Sequence, residues 1–230
     1  MFHIRKGRRM KKYQIIYADP PWSYPESGSK AKVHDRHYKC MDIEDVCGLP
    51  VKEISDENCL LFLWVTMPRL FEAQKVIEAW GFKYKTVAFN WIKENKRAIN
   101  KSLFSDTPLD DFLGLGSWTR SNSELCLLGV KGKPKKQSSS VRQLVVTPIE
   151  NHSKKPDCIR DMIVELCGDL PRLELFARNK TEGWDVFGNE VEDSIQLKAG
   201  ALHYSLQQTH GGSVCSQTSP KLPSTATSPC

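Results

Sequence analysis

The stretch "YADPPWSY", Tyr17 to Tyr24, puts a carboxylate, two prolines and a tryptophan directly behind the apolar run "QII". Asp19 is an acceptor-only anion. Pro20 and Pro21 fix the backbone direction and remove two amide donors, leaving nearby carbonyls free to accept hydrogen bonds. Trp22, together with Tyr24, offers a flat face on which a planar ring can stack. These groups suit a planar ligand bearing an NH₂, such as the exocyclic amine of adenine. That nitrogen is a poor nucleophile because its lone pair is delocalised into the ring. Acceptors that hold both N–H bonds favour a more tetrahedral nitrogen and aim its lone pair at an electrophile, so orientation and electrostatics make the nucleophile. The plainer alternative is a proline-rich turn that caps a strand.

Chemistry at such a turn needs a rigid strand behind it. "QIIYA" and "CLLFLWV" are apolar over nearly their whole length, as parallel strands covered on both faces tend to be. In an open parallel sheet, ligands bind beyond the carboxyl ends of the strands, where Asp19 falls. Between Pro68 and Trp80, Leu70, Ala73, Ile77 and Trp80 recur at helical spacing, with Gly81 just past the end. "KYKTVAFNWI" reads as a strand, a polar loop follows over roughly 95 to 120, and "ELCLLGV" and "RQLVV" are further strands. Pro156 opens a helix with the stripe Ile159, Met162, Ile163 and Leu166, closed by Gly168, before the strand "PRLELFA". The succession predicts an α/β domain with a mostly parallel, doubly wound sheet. Its expected limits are 13–193, after a basic arm over 1–12. The tail over 194–230, rich in Ser, Thr, Gln, Pro and Gly, is expected to be disordered.

Lys plus Arg number 33 against 27 Asp plus Glu, a net charge of +6 in a chain of 230 residues. The excess is clustered: Arg5, Lys6, Arg8, Arg9, Lys11 and Lys12, then "KGKPKK" over 131–136 with Lys135 and Lys136, and "HSKK" with Lys154 and Lys155. Such clusters suit a polyanionic partner, and equally suit solvated loops. Met10 is a second candidate start, which would shorten the first cluster. Eight cysteines without a CxxC pair, most of them in apolar segments, read as reduced thiols. His34, His37 and Cys40 lack a second ligand cluster, so no metal is expected. The longest apolar run is far too short to span a bilayer, and the N-terminus lacks the apolar core of a secretory signal, so a cytoplasmic protein is expected.

"YQIIYADPPWSY", "HSKKPD", "LELFAR" and "GWDVFGNEV" occur in this order and, over about residues 13 to 192, resemble the family of the eukaryotic messenger-RNA N6-adenosine methyltransferase catalytic subunit and its bacterial and phage DNA adenine methyltransferase relatives. The compact length and the opening "RKGRRMKKYQIIYADPPWSY" look more like the bacterial and phage members. The resemblance implies a Rossmann-like, S-adenosylmethionine-dependent methyltransferase fold in permuted order, the catalytic strand preceding the cofactor-binding strand. Asp19, Pro20, Pro21 and Trp22 match the catalytic motif. The carboxylate and the Pro20 carbonyl would hold the target amine, Trp22 would stack on its base, and Asp19 would also lie beside the donor.

On the same resemblance, Lys155 matches a lysine near donor and target, and Glu174, Leu175, Phe176 and Arg178 match the segment leading into the donor pocket. Asn189 and Glu190 match a pair that bonds the donor's ribose and adenine. Tyr38 matches a tyrosine near the target base, and Trp118, Arg120 and Asn122 belong to a region that approaches the substrate. Lys180 stands where a eukaryotic catalytic subunit has histidine, and the further strand that eukaryotic members carry ahead of the catalytic motif has no counterpart in the basic N-terminus. The reading is an adenine-N6 methyltransferase acting on DNA, with RNA, or a non-catalytic nucleic-acid-binding subunit, as the alternatives. A homo- or hetero-dimer is compatible with all of this.

Overall fold

A computed structural model describes residues 11–23, 40–95, 114, 118–150, 154–188, 190–195 and 197. Tyr24, His34, His37, Tyr38 and Asn189 lie outside the described residues. Seven strands form one sheet: β1 (Tyr13–Ala18), β2 (Ser55–Val65), β3 (Lys83–Glu94), β4 (Ser123–Lys131), β5 (Leu144–Pro148), β6 (Arg172–Leu175) and β7 (Asp185–Phe187), in the order β5-β3-β4-β2-β1-β6-β7. β1 pairs in parallel with both β2 and β6, β6 with β7, and β3 with β5. β4 alone runs against its neighbours β2 and β3. The sheet is therefore mostly parallel, as the apolar strands predict, with one reversed strand that apolarity could not reveal.

Helices cover both faces. α1 (Ile43–Cys47), α2 (Val51–Ile54) and α3 (Leu70–Ala79) lie on one side, where Val46, Val51, Ile54, Ala73, Val76 and Ile77 pack on Ile16, Ala18, Leu61, Leu63 and Leu173. α4 (Cys158–Cys167) lies on the other, where Ile159 and Ile163 pack on Ile15, Tyr17, Leu60, Phe62 and Trp64. Successive residues of β1 and β2 thus supply opposite cores, the physical reason that the runs over 15–18 and 59–65 are apolar. A turn of 3-10 helix over Met67–Arg69 precedes α3, and Gly81, at φ 83°, follows it. The short α1 and α2 carry no full stripe of their own, and their signal in the sequence is weak.

Cys59, Cys126 and Cys167 are buried free thiols, and burial pushes Cys59 and Cys167 up to about 12. Cys158 is exposed. Residues flanking the span 13–193 also contact the domain. Lys11 pairs with Asp185 at 2.6 Å, and Lys12 donates to the Glu53 carbonyl. Ser194 exchanges hydrogen bonds with Val186, and Ile195 and Leu197 pack on the core. No described helix is long and apolar enough to cross a membrane.

Candidate active site

β1, β2 and β6 end at the same edge of the sheet, and β4 begins there because it runs in reverse. Asp19 leaves β1 at this edge. The Trp22 N–H donates to the Pro20 carbonyl at 2.9 Å, a tight turn that still leaves this carbonyl a second lone pair. The Pro21 carbonyl accepts from the Met41 N–H at 2.9 Å, so the turn is also bound to the chain entering α1. Arg69 steadies its far end by donating to the Ser23 carbonyl at 2.6 Å.

Lys155, placed by Pro156 at the entry to α4, reaches Asp19 at 2.7 Å and Glu124, the second residue of β4, at 3.2 Å. Glu124 in turn meets Lys93 of β3 at 2.5 Å. The result is a chain of alternating charge, Asp19–Lys155–Glu124–Lys93, laid across the ends of three strands and a helix entry. Burial pushes the Asp19 carboxyl above its ordinary value against the pull of Lys155. Burial opposes charge on Lys155 as well, yet Asp19 and Glu124 outweigh it and hold the ammonium above the usual lysine range. Glu124 is kept below the ordinary carboxylate range because Lys155 and Lys93 overcome its own burial. The Asp19 side chain remains 29% exposed, so the acceptor faces an opening. Glu124 and Lys93 carry no motif in the sequence. The run "ELCLLGV" reads only as a strand, and the antiparallel pairing is what brings its acid to Lys155.

Other predicted residues divide. Trp22 was expected to present a face for stacking, but it is 5% exposed, packed in the core beside α1, with its indole N–H on the Trp64 carbonyl at 3.0 Å. In this structure its ring pins the turn to β2. Glu174 gives both oxygens to Arg160, at 2.6 and 2.8 Å, and burial raises its carboxyl against that pull. The Leu175 side chain is wholly buried in the core. Phe176 follows at φ 62°, a left-handed backbone that costs a non-glycine residue about 1–3 kcal/mol and is concentrated at ligand sites. Arg178 and Glu190 approach to 3.9 Å beyond this turn. Lys154 is held by Glu150 at 2.5 Å and Asp157 at 2.6 Å, which neutralises it locally.

Trp118 (99% exposed), Arg120 and Asn122 lead into β4 at the edge that carries Asp19. Lys135 and Lys136 do not. They follow the far end of β4, where Lys131 pairs with Cys59, whereas Leu125 pairs with Val65 at the site. Six residues of strand separate the two registers, about 20 Å. The reversal of β4 thus places these two lysines after the strand end opposite the one beside Asp19.

The family model of MT-A70 matches residues 13–190, most of the chain. This chain belongs to the MT-A70 family. Proteins similar to it differ in kind. The Type II methyltransferase M.MunI of Mycoplasma sp is 34% identical over 203 residues, covering 80% of each chain. The N(6)-adenosine-methyltransferase catalytic subunit METTL3 of Homo sapiens is 28% identical over 192 residues, 81% of this chain but 29% of that one. The N(6)-adenosine-methyltransferase MT-A70-like protein of Arabidopsis thaliana is also 28% identical, with 25% of its length covered. The chain is a methyltransferase-family domain of Rossmann-like α/β fold whose site edge coincides with the motif residues.

Proposed function

We propose that this protein transfers the methyl group of S-adenosylmethionine to the N6 amine of adenine in DNA. The observation that carries the reading is the Asp19 carboxylate, part-exposed at the end of β1 and fixed by Lys155, beside a Pro20 carbonyl with a spare lone pair. Two acceptors on one turn match the two N–H bonds of the amine. Similarity to a type II methyltransferase over four-fifths of both chains favours DNA over RNA.

The residues present also fit the donor. An ammonium and a carboxylate on its methionine end suit Asp19 and Lys155, and the strained Phe176 turn with Arg178 and Glu190 offers groups for a ribose diol. When bound, S-adenosylmethionine supplies an electrophilic methyl. The chain's own residues do the rest. Asp19 and the Pro20 carbonyl fix the amine and aim its lone pair, Lys155 holds Asp19 in place, and the Asp19 carboxylate that accepts the amine's N–H can take the proton that the methylated amine sheds. The base must leave its duplex to reach this edge, at a cost of a few kcal/mol that is smaller at a mismatch.

The test is transfer of labelled methyl to matched DNA and RNA oligonucleotides, followed by nucleoside analysis. N6-methyladenine in DNA supports the reading, and label confined to RNA or protein overturns it. Asp19→Ala should lower the rate by about thirty- to a thousand-fold, the equivalent of roughly 2–4 kcal/mol of lost transition-state stabilisation, with the fold retained.

A further inference from the structure

Trp64, the penultimate residue of β2, is wholly buried, belongs to none of the motifs and contacts both the turn after Asp19 and Lys155. Its backbone carbonyl accepts the Trp22 indole N–H at 3.0 Å, which ties the turn after Asp19 to β2. Its own indole N–H donates to the Tyr17 hydroxyl at 2.7 Å. The Lys155 ammonium lies over its ring, 5.4 Å from the centroid. Trp91 of β3 meets it edge-on, with centroids 6.3 Å apart at 77°, and carries Lys93 over its own ring at 5.0 Å. Two ammonium groups thus rest on an aromatic floor, with Glu124 between them.

We propose that Trp64 is a positioning residue that holds the Lys155 ammonium between Asp19 and Glu124. Carboxylates attract a lysine from any direction and leave its long stem several rotamers. A fixed ring face restricts the approach, and attraction between cation and ring is strongest where water is excluded. The hydrogen bond from Trp64 to Tyr17 sets the plane of that face. Tyr17 is itself clamped, with Arg160 over its ring at 5.5 Å and Trp184 tilted against it at 5.9 Å. Position therefore passes from the buried Tyr17 through the indole to the lysine, and through the Trp64 carbonyl to the catalytic turn.

The activity arm of the test rests on the proposed methyl transfer, and a second arm does not. In ¹⁵N-lysine-labelled protein, the Lys155 ammonium, assigned by its loss in Lys155→Met, should exchange its protons slowly. Trp64→Leu should speed that exchange at least ten-fold and raise the donor KM about ten-fold, while Trp64→Phe, which restores a ring face, should stay within about three-fold of wild type on both. Phe62→Leu controls for lost core volume. Phe62 is buried on the same face of β2, stacked on Phe89, and has no contact with Lys155 among the described residues, so this variant should lose stability and leave both readouts unchanged. Should Trp64→Leu fail to fold, Tyr17→Phe, which removes only the acceptor of the indole N–H, should speed ammonium exchange about three-fold. Unchanged exchange in Trp64→Leu or, in its place, Tyr17→Phe overturns the proposal, as does an equal effect of Phe62→Leu. A wild-type protein that methylates no adenine overturns the proposed function alone, and ammonium exchange still decides the role of Trp64.

Discussion

Replacing Lys155 by Met tests whether the charge chain at the sheet edge is a coupled unit. The ammonium is mostly buried and meets two carboxylates, at 2.7 and 3.2 Å. Removing one partner from a buried ion pair costs about 3–5 kcal/mol, because the remaining charge is left without compensation. Asp19 is open enough to recover some hydration, which places the expected loss near the lower end, about 3 kcal/mol. In a domain of this size that corresponds to a fall in Tm of roughly 6–12 °C. Adding Glu124→Gln removes one of the two stranded carboxylates. The double variant should be more stable than the sum of the single effects by about 1–2 kcal/mol, a coupling typical of groups in direct contact. Urea unfolding is the assay, because guanidinium would screen the charges. The penalty of Lys155→Met should also shrink as pH falls. Glu124 has a depressed folded pKa, so its wild-type contribution is present above the unfolded carboxylate value and is lost on acidification through the folded one, whereas the stranded Glu124 of the variant is relieved by protonation. Strict additivity of the two substitutions, or a penalty independent of pH, would refute the reasoning.

Trp22→Ala should destabilise by about 3–5 kcal/mol, the usual cost of deleting a buried large aromatic, and circular dichroism melts should register it before any substrate is added. The acid limb of kcat/KM should fall above the ordinary aspartate value, because burial raises Asp19, and Lys155→Met should move the limb higher still by removing the charge that pulls it down; a pH–rate series on both proteins checks this. Lys135→Ala combined with Lys136→Ala should change methylation of a short oligonucleotide by less than about two-fold, since both follow the end of β4 that lies about 20 Å of strand from the register beside the site, and initial rates over a salt series would show it.

The sequence by itself determined the parts of this protein that depend on neighbours along the chain. Unbroken apolar runs in "QIIYA" and "CLLFLWV" require cover on both faces, which demands helices above and below the sheet. The stripes in α3 and α4 supply two of them. A carboxylate followed by two prolines at a strand end announces an acceptor-rich turn, while the pairing of Asp19 with Lys155, 136 residues apart, shows only in the fold. Only the tertiary structure decided what depends on strand direction and depth. Apolarity carries no sign for direction, so nothing in "SELCLLGV" shows that β4 is reversed. That reversal brings Glu124 to Lys155 and carries Lys135 and Lys136 to the opposite edge. A tryptophan after a turn reads the same whether its ring faces solvent or core. Trp22 went inward because its N–H could be satisfied at the Trp64 carbonyl, an acceptor 42 residues away that exists only once β1 and β2 are paired.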